Sequence, residues 1–259
     1  MTNVLNATTD SALKRLDWES NHFGVSAAQI VGGELTDAAL AEALHLARRQ
    51  GLQLAVWPAQ GDRELPEQFL HEFHGALVDR KLTYTRSLAV SAFDTQLPEQ
   101  PGLKVVEYTA DVPSGPLVEL ALAAGGFSRF RVDAMIPHEK FESMYRIWIE
   151  RSVKRELADV VLVAPLHHCD TSGEAPLAAM VTISLAAGQA SIGLIAVASA
   201  ARGQGVGSTL MRAAHHWMRE HGANEARVVT QRVNLPACRL YERSGYQVSN
   251  VQTYFHFWL

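Results

Sequence analysis

Cysteine is almost missing from this chain. Only Cys169 and Cys238 occur among 259 residues, too few for a disulfide framework and without the paired spacing of a structural metal site, so a reducing compartment and no bound metal are expected. An excess of positive charge is missing too. With 23 Lys and Arg against 27 Asp and Glu, the net charge is -4, which counts against a general nucleic-acid partner. No apolar run reaches the length of a membrane span, and residues 1–10 lack the charged and apolar segments of a secretory leader. A soluble cytoplasmic protein is therefore expected. There is also no internal repeat or low-complexity tract.

What is present is a core-forming composition, 47% hydrophobic, enough for one or two domains, and two are expected. The most informative stretch is Arg202-Gly203-Gln204-Gly205-Val206-Gly207, placed between an apolar strand-like run, 192–197, and an amphipathic helix. That helix is marked by Val206, Leu210, Ala213, Ala214, Trp217 and Met218 at three- and four-residue spacing, with Gly222 as its stop. Glycines clear Cβ atoms from an anion's path, while a helix start adds oriented N–H donors and the positive end of its dipole. A pyrophosphate cradle is the natural reading, with a ligand-free glycine turn as its alternative. A Walker loop is excluded because Ser208 follows Gly207 directly where a lysine would be needed. A dinucleotide site is excluded too, because Glu225 precedes the next strand instead of ending it.

A second motif runs from Asn234 through Pro236, Arg239, Tyr241 and Gly245 to Tyr246. The two segments together resemble the GCN5-related N-acetyltransferases, which transfer acyl groups from coenzyme A to amines. The resemblance implies that Arg202, Gly203, Gln204, Gly205, Val206, Gly207 and Ser208 hold the coenzyme A pyrophosphate. It also implies that the main chain of Ile195, Ala196 and Val197 pairs with pantetheine as an added strand would. Asn234 then lies against the cofactor, and Tyr241 near its sulfur. Aminolysis of a thioester needs a neutral amine, a polarised carbonyl and a stabilised leaving thiolate, and a tyrosine can donate that proton. A plain helix cap at Asn234 and a core aromatic at Tyr241 are the structural alternatives.

The resemblance implies an α/β (α+β) fold, a central mixed, mostly antiparallel sheet flanked by helices, over 101–259. A smaller N-terminal α/β domain, 1–100, would precede it, with a linker at 95–102. Within the larger part, strands are expected at 103–108, 160–164, 178–185, 190–197, 226–230 and 246–258, and helices at 116–124, 138–154, after the glycine loop and at 236–244. Earlier, a helix is expected at 38–50 and strands at 52–57 and 77–90. Residues 16–25 and 127–131, with Tyr145, Trp148 and Ile149, are similar to the TDP-fucosamine acetyltransferase branch. That implies acetyl-CoA and a TDP-linked amino sugar as substrates, the sugar's diphosphate falling to Arg129 and Arg131.

Other residues point to less. His167, His168, Cys169 and Asp170 are of metal-ligand type, but neighbours in sequence do not converge readily on one ion, and a hydrated loop is expected. His215 and His216 fall outside the apolar stripe and are expected at the surface; Phe127 and Phe130 are expected to be structural. For a general base, Asp133, His138, Glu139 and Glu142 are equal candidates, and a neutral amine could need none. Phe255, Phe257 and Trp258 either finish the core or mark a homodimer contact, the core being favoured. A different amine, a longer acyl group, or a non-catalytic acyl-CoA sensor remain as alternatives.

Overall fold

The structure, a computed structural model, describes residues 12–89, 98, 100–166 and 175–259. In chain order its elements are β1 (Leu13–Arg15), α1 (Asp17–Phe23), β2 (Ala27–Ile30), α2 (Asp37–Arg49), β3 (Leu54–Gln60), α3 (Glu67–Glu72) and β4 (Gly75–Ser87). Then come β5 (Val106–Glu107), α4 (Gly115–Ala124), α5 (Arg129–Val132), α6 (His138–Val153), β6 (Val160–Pro165), β7 (Leu177–Ala186) and β8 (Gln189–Val197). The chain ends with α7 (Val206–Glu220), β9 (Glu225–Gln231), α8 (Leu235–Arg243) and β10 (Gln247–Trp258). Parallel and antiparallel strands with flanking helices make this the mixed α+β fold that the resemblance implies.

Contacts group the chain into two compact units. Unit 1 holds residues up to Leu82, Ser128–Lys140 and Asn250–Leu259, and unit 2 holds Thr83–Phe127 and Phe141–Ser249. Both units thus take chain from either side of residue 100.

In unit 1 the strand order is β1-β2-β3-β10-β4. β2 runs parallel to β3, and β10 lies antiparallel along β3 with Phe255 opposite Trp57 and Phe257 opposite Ala55. α2 begins at Thr36, whose side chain accepts the Ala39 N–H at 3.2 Å, a standard N-cap. Its buried residues Leu40, Ala43, Leu44 and Ala47 recur at helical spacing. They pack with Trp57, Phe73, Phe255 and Phe257 into one core. Phe255 and Phe257 therefore finish the core, as favoured.

In unit 2 the order is β4-β9-β8-β7-β6-β5. β5 is only two residues long: of the expected strand at 103–108, Val106 and Glu107 pair in register with β6, and the Tyr108 N–H adds one bond to Val161 C=O at 2.8 Å. α4 and α7 both pack on β7 and β8. Gly125, just past α4, is fixed by crowding: a Cβ there would lie 2.4 Å from the Tyr145 ring.

Candidate functional site

Strands β8 and β9 start as a parallel pair and then separate. Their register runs from Gln189 opposite Glu225 to Ile192 opposite Val228, although β8 continues to Val197 and β9 to Gln231. The cause lies on the other side of β8. Its pairing with β7 shifts between Val181 and Ile183, so that Gly193 and Leu194 together oppose Thr182. This is a β-bulge, which bends its strand and increases local twist. The Leu194 N–H, deprived of a ladder partner, donates to Thr182 Oγ1 at 2.8 Å. A Cβ at Gly193 would stand 2.9 Å from that oxygen, so glycine is required. Past the bulge, Ala198 N–H donates to Ala178 C=O at 2.8 Å. By strand alternation the main-chain groups of Ile195 and Val197 then turn to the β9 side, where the ladder has ended.

The chain leaves β8 through a short 3-10 turn, Ser199–Ala201, into the glycine loop. Gly203 and Gly205 have φ of 75° and 83°, the left-handed region that favours glycine. A Cβ on Gly203 would meet nothing within 4 Å, so conformation and not crowding selects it. Gly205 is the N-cap of α7, and no side chain caps that helix start. The N–H groups of its first turn, at Val206, Gly207 and Ser208, face outward along a positive helix end. Gln204 Nε2 donates to Ala200 C=O at 2.8 Å and Arg202 Nε to Val197 C=O at 3.2 Å, folding the loop back on the end of β8.

α8 closes the third side. Asn234 caps it, accepting the Ala237 N–H at 3.4 Å and donating Nδ2–H to Thr230 Oγ1 at 3.3 Å. Position 207 lies 3.5 Å from Leu240 and 3.6 Å from Val197 when given a Cβ, so the loop, the end of β8 and α8 converge. Tyr241 is 1% exposed, its ring 5.7 Å from that of Tyr84 and 5.9 Å from that of Tyr246. Among the described residues its hydroxyl has no hydrogen-bond partner. Burial first, then the neighbouring Cys238, pushes its phenol well above the ordinary range, so the group stays protonated and is a donor.

Unit 1 contains most of the residues expected to meet the acceptor. Arg129 lies over the rings of Phe130 and Tyr254, at 4.3 and 4.9 Å, and Arg131 Nη1 donates to His138 Nδ1 at 2.9 Å. Asp133 is buried and accepts from His256 Nδ1 at 2.6 Å and from Trp258 Nε1 at 3.0 Å. Burial alone would raise the Asp133 carboxyl, but His256, the Met135 N–H and Trp258 together hold it below the usual carboxylate range. Burial pushes the His256 imidazole down against that pull. Beside Asp133 and Trp258 is a cavity of about 540 Å³ with mostly apolar walls, among them Leu77, Val78, Val132 and Met135. Glu139 is exposed, and Glu142, in unit 2, lies 3.6 Å from Arg146.

Two expectations need correction. His215 is not at the surface but fully buried, at 0% exposure, because Arg86 and Tyr246 supply partners for both of its ring nitrogens; His216 is exposed. Phe127 is not structural in the sense of being packed, since it is 41% exposed, whereas Phe130 packs 5.5 Å from Phe23. Sequence reading also missed Thr182, Tyr84 and Arg86. Only the last two left a trace, in the alternation Leu82, Tyr84, Arg86, Leu88, all four of them buried. His167, His168, Cys169 and Asp170 lie outside the described residues. Among those described, no group of three or more His, Cys, Asp or Glu is placed to hold a metal, and no helix is long and apolar enough to cross a membrane.

Residues 132–246 match the Acetyltransferase (GNAT) family. No curated protein matches the sequence. Among solved structures, a conserved protein of unknown function from Staphylococcus epidermidis is similar with a TM-score of 0.63 at 13% identity, over 95% of this chain and 91% of that one. A tandem GNAT protein from the clavulanic acid biosynthesis pathway gives 0.55 at 14% identity, over 90% and 75%. A GCN5-related N-acetyltransferase from Sphaerobacter thermophilus gives 0.51 at 15%, over 89% and 72%. The similarity to the GNAT family thus covers residues 132–246, and the solved structures share the fold of this chain.

Proposed function

We propose that unit 2 binds acetyl-CoA along the separated end of β8 and transfers its acetyl group directly to an amine in a ternary complex. The observation that carries this reading is the early end of the β8–β9 ladder, followed at once by a glycine loop and an uncapped helix start. Main-chain groups of Ile195, Ala196 and Val197 would pair with the pantetheine amides. N–H groups of residues 203 to 208, with the Arg202 guanidinium, would hold the pyrophosphate. Asn234, already a helix cap, would meet the cofactor with its remaining hydrogen-bonding capacity.

The amine nitrogen attacks the thioester carbonyl, and the C–S bond breaks as the tetrahedral adduct collapses. The proton lost by nitrogen balances the one gained by sulfur. Tyr241 donates to the departing sulfur. A phenol raised by burial is a weaker acid than a thiol of ordinary pKa, ~8.5, so its contribution is a hydrogen bond to the developing thiolate, and the proton that sulfur finally gains is the one released by nitrogen. Replacing Tyr241 by Phe should lower kcat by about two orders of magnitude while calorimetry shows unchanged acetyl-CoA affinity. Unchanged kcat would remove Tyr241 from the chemistry, and unchanged low turnover of the wild type against every amine would favour an acyl-CoA sensor.

For the acceptor we propose a nucleotide-linked amino sugar, supported by the similarity of residues 16–25 and 127–131 to the TDP-fucosamine branch, with Arg129 and Arg131 as its diphosphate ligands. One observation favours a second reading. Arg129 already stacks on two rings, and the nearby cavity is lined mainly by apolar side chains, which suits a smaller, less polar amine. Mass spectrometry of products from a panel of TDP-amino sugars and simple amines decides between them. Loss of sugar turnover in Arg131→Ala supports the first, and equal turnover of both classes contradicts it.

A further inference from the structure

Behind Tyr241 lies a buried polar chain that neither the fold nor the chemistry so far has used. Arg86, on β4, is 4% exposed. One of its nitrogens, Nη1, donates to Ser244 C=O at 2.7 Å and to His215 Nδ1 at 2.9 Å. A guanidinium only donates, so Nδ1 must accept, and the ring proton then sits on Nε2. From there it reaches Tyr246 Oη at 2.9 Å. Tyr246 in turn donates its N–H to Tyr241 C=O at 3.0 Å, and the two rings lie 5.9 Å apart.

The chain joins two helices of unit 2 whose ends have different tasks. His215 is in the middle of α7, the helix that opens on the glycine loop. Ser244 is the C-cap of α8, the helix that carries Tyr241. A buried positive charge at that carboxyl end complements the helix dipole and takes up one of its terminal carbonyls. Charge there would be costly without partners, and Ser244 C=O and His215 Nδ1 supply two acceptors, both to Nη1. A core that needed only packing would be filled more simply by apolar side chains.

We propose that Arg86, His215 and Tyr246 are positioning residues for the acyl transfer: they fix the α8 terminus against α7 and so hold the Tyr241 hydroxyl in line with the sulfur of a cofactor bound at the α7 start. The proposal rests on the reading of Tyr241 as the donor to the leaving group.

The test is a double-mutant cycle on the full chain with steady-state kinetics and thermal unfolding. Tyr246→Phe removes one hydroxyl and leaves the ring. It should lower kcat about fivefold, the factor that corresponds to the loss of one hydrogen bond, with the KM for acetyl-CoA unchanged. In the Tyr241→Phe background the same change should lower kcat no further. His215→Leu should match Tyr246→Phe in kcat, and His215→Gln, which keeps a donor and an acceptor, should recover most of it. Equal multiplicative losses with and without the Tyr241 hydroxyl would overturn the proposal and leave the donor role standing. So would a Tyr246→Phe enzyme with full kcat. If Tyr241→Phe alone keeps full kcat, the donor reading itself fails, and the positioning role falls with it.

Discussion

Thr182→Val isolates the feature on which the cofactor edge depends. The side chain is 2% exposed, and its hydroxyl oxygen accepts the Leu194 N–H at 2.8 Å inside the bulge. Valine fills nearly the same space but leaves that N–H without an acceptor, away from water. An orphaned buried donor costs about 1–3 kcal/mol. For a chain of this size each kcal/mol moves Tm by about 2–4 °C, so a loss near 2 kcal/mol lowers Tm by about 4–8 °C. The bulge is also what turns Ile195 and Val197 toward the β9 side, and a relaxed bulge would let β8 lie along β9. Acetyl-CoA affinity should therefore weaken together with Tm. Thr182→Ser is the control, because it keeps the acceptor and loses only a methyl group, worth about 0.8 kcal/mol. Differential scanning fluorimetry and calorimetric titration read both effects. A valine variant as stable and as tight-binding as the wild type, or a serine variant worse than the valine one, would refute the reasoning.

Further outcomes follow from other contacts. Gly125→Ala drives a Cβ to 2.4 Å from the Tyr145 ring and should cost about 1–3 kcal/mol in denaturant titration, with thermal and chemical unfolding agreeing. Asp133→Asn removes a carboxylate that accepts from His256 and Trp258 and should cost about 1.5–3 kcal/mol at neutral pH. The folded Asp133 value lies below its unfolded one, so its contribution is present above about pH 4 and fades as pH falls through the folded value. The depressed His256 adds in the same direction, since below about pH 6.5 the unfolded chain takes up its proton first. The gap between wild type and Asp133→Asn should accordingly narrow below about pH 4, and stability curves that stay parallel to pH 3 would contradict this. Arg202→Ala should weaken coenzyme A binding about tenfold and flatten its salt dependence, as titrations at two ionic strengths would show.

Where one element carries a strong period, its form could be read from the sequence. α2, α6 and α7 have apolar residues at three- and four-residue spacing, and the observed bounds of His138–Val153 and Val206–Glu220 lie close to those expected. The glycine loop was legible because the backbone angles of Gly203 and Gly205 are a local demand. What depends on distant partners was not. The bulge joins Gly193 to Thr182 across β7 and β8, and His215 is buried through Arg86, 129 residues away in the chain. A histidine beside an apolar stripe looks like surface until a buried arginine is found to face it. Short helices such as α1 and α5 have too few residues to show a period. The placing of β10 between β3 and β4 in unit 1 likewise follows from long-range pairing that no local pattern encodes. Of the candidate site, residues with a local reason to be as they are, the two glycines and the capping Asn234, were the readable part; the supporting shell of Tyr84, Arg86, Thr182 and His215 was not.

A crystal structure of the protein with acetyl-CoA tests the central claim most directly. The account predicts the pyrophosphate within hydrogen-bond distance of main-chain N–H groups between Gly203 and Ser208. It also predicts the pantetheine amides on Ile195 and Val197, and the sulfur next to the Tyr241 hydroxyl. A cofactor bound elsewhere, or β8 and β9 zipped together in the complex with the sulfur remote from Tyr241, would contradict it.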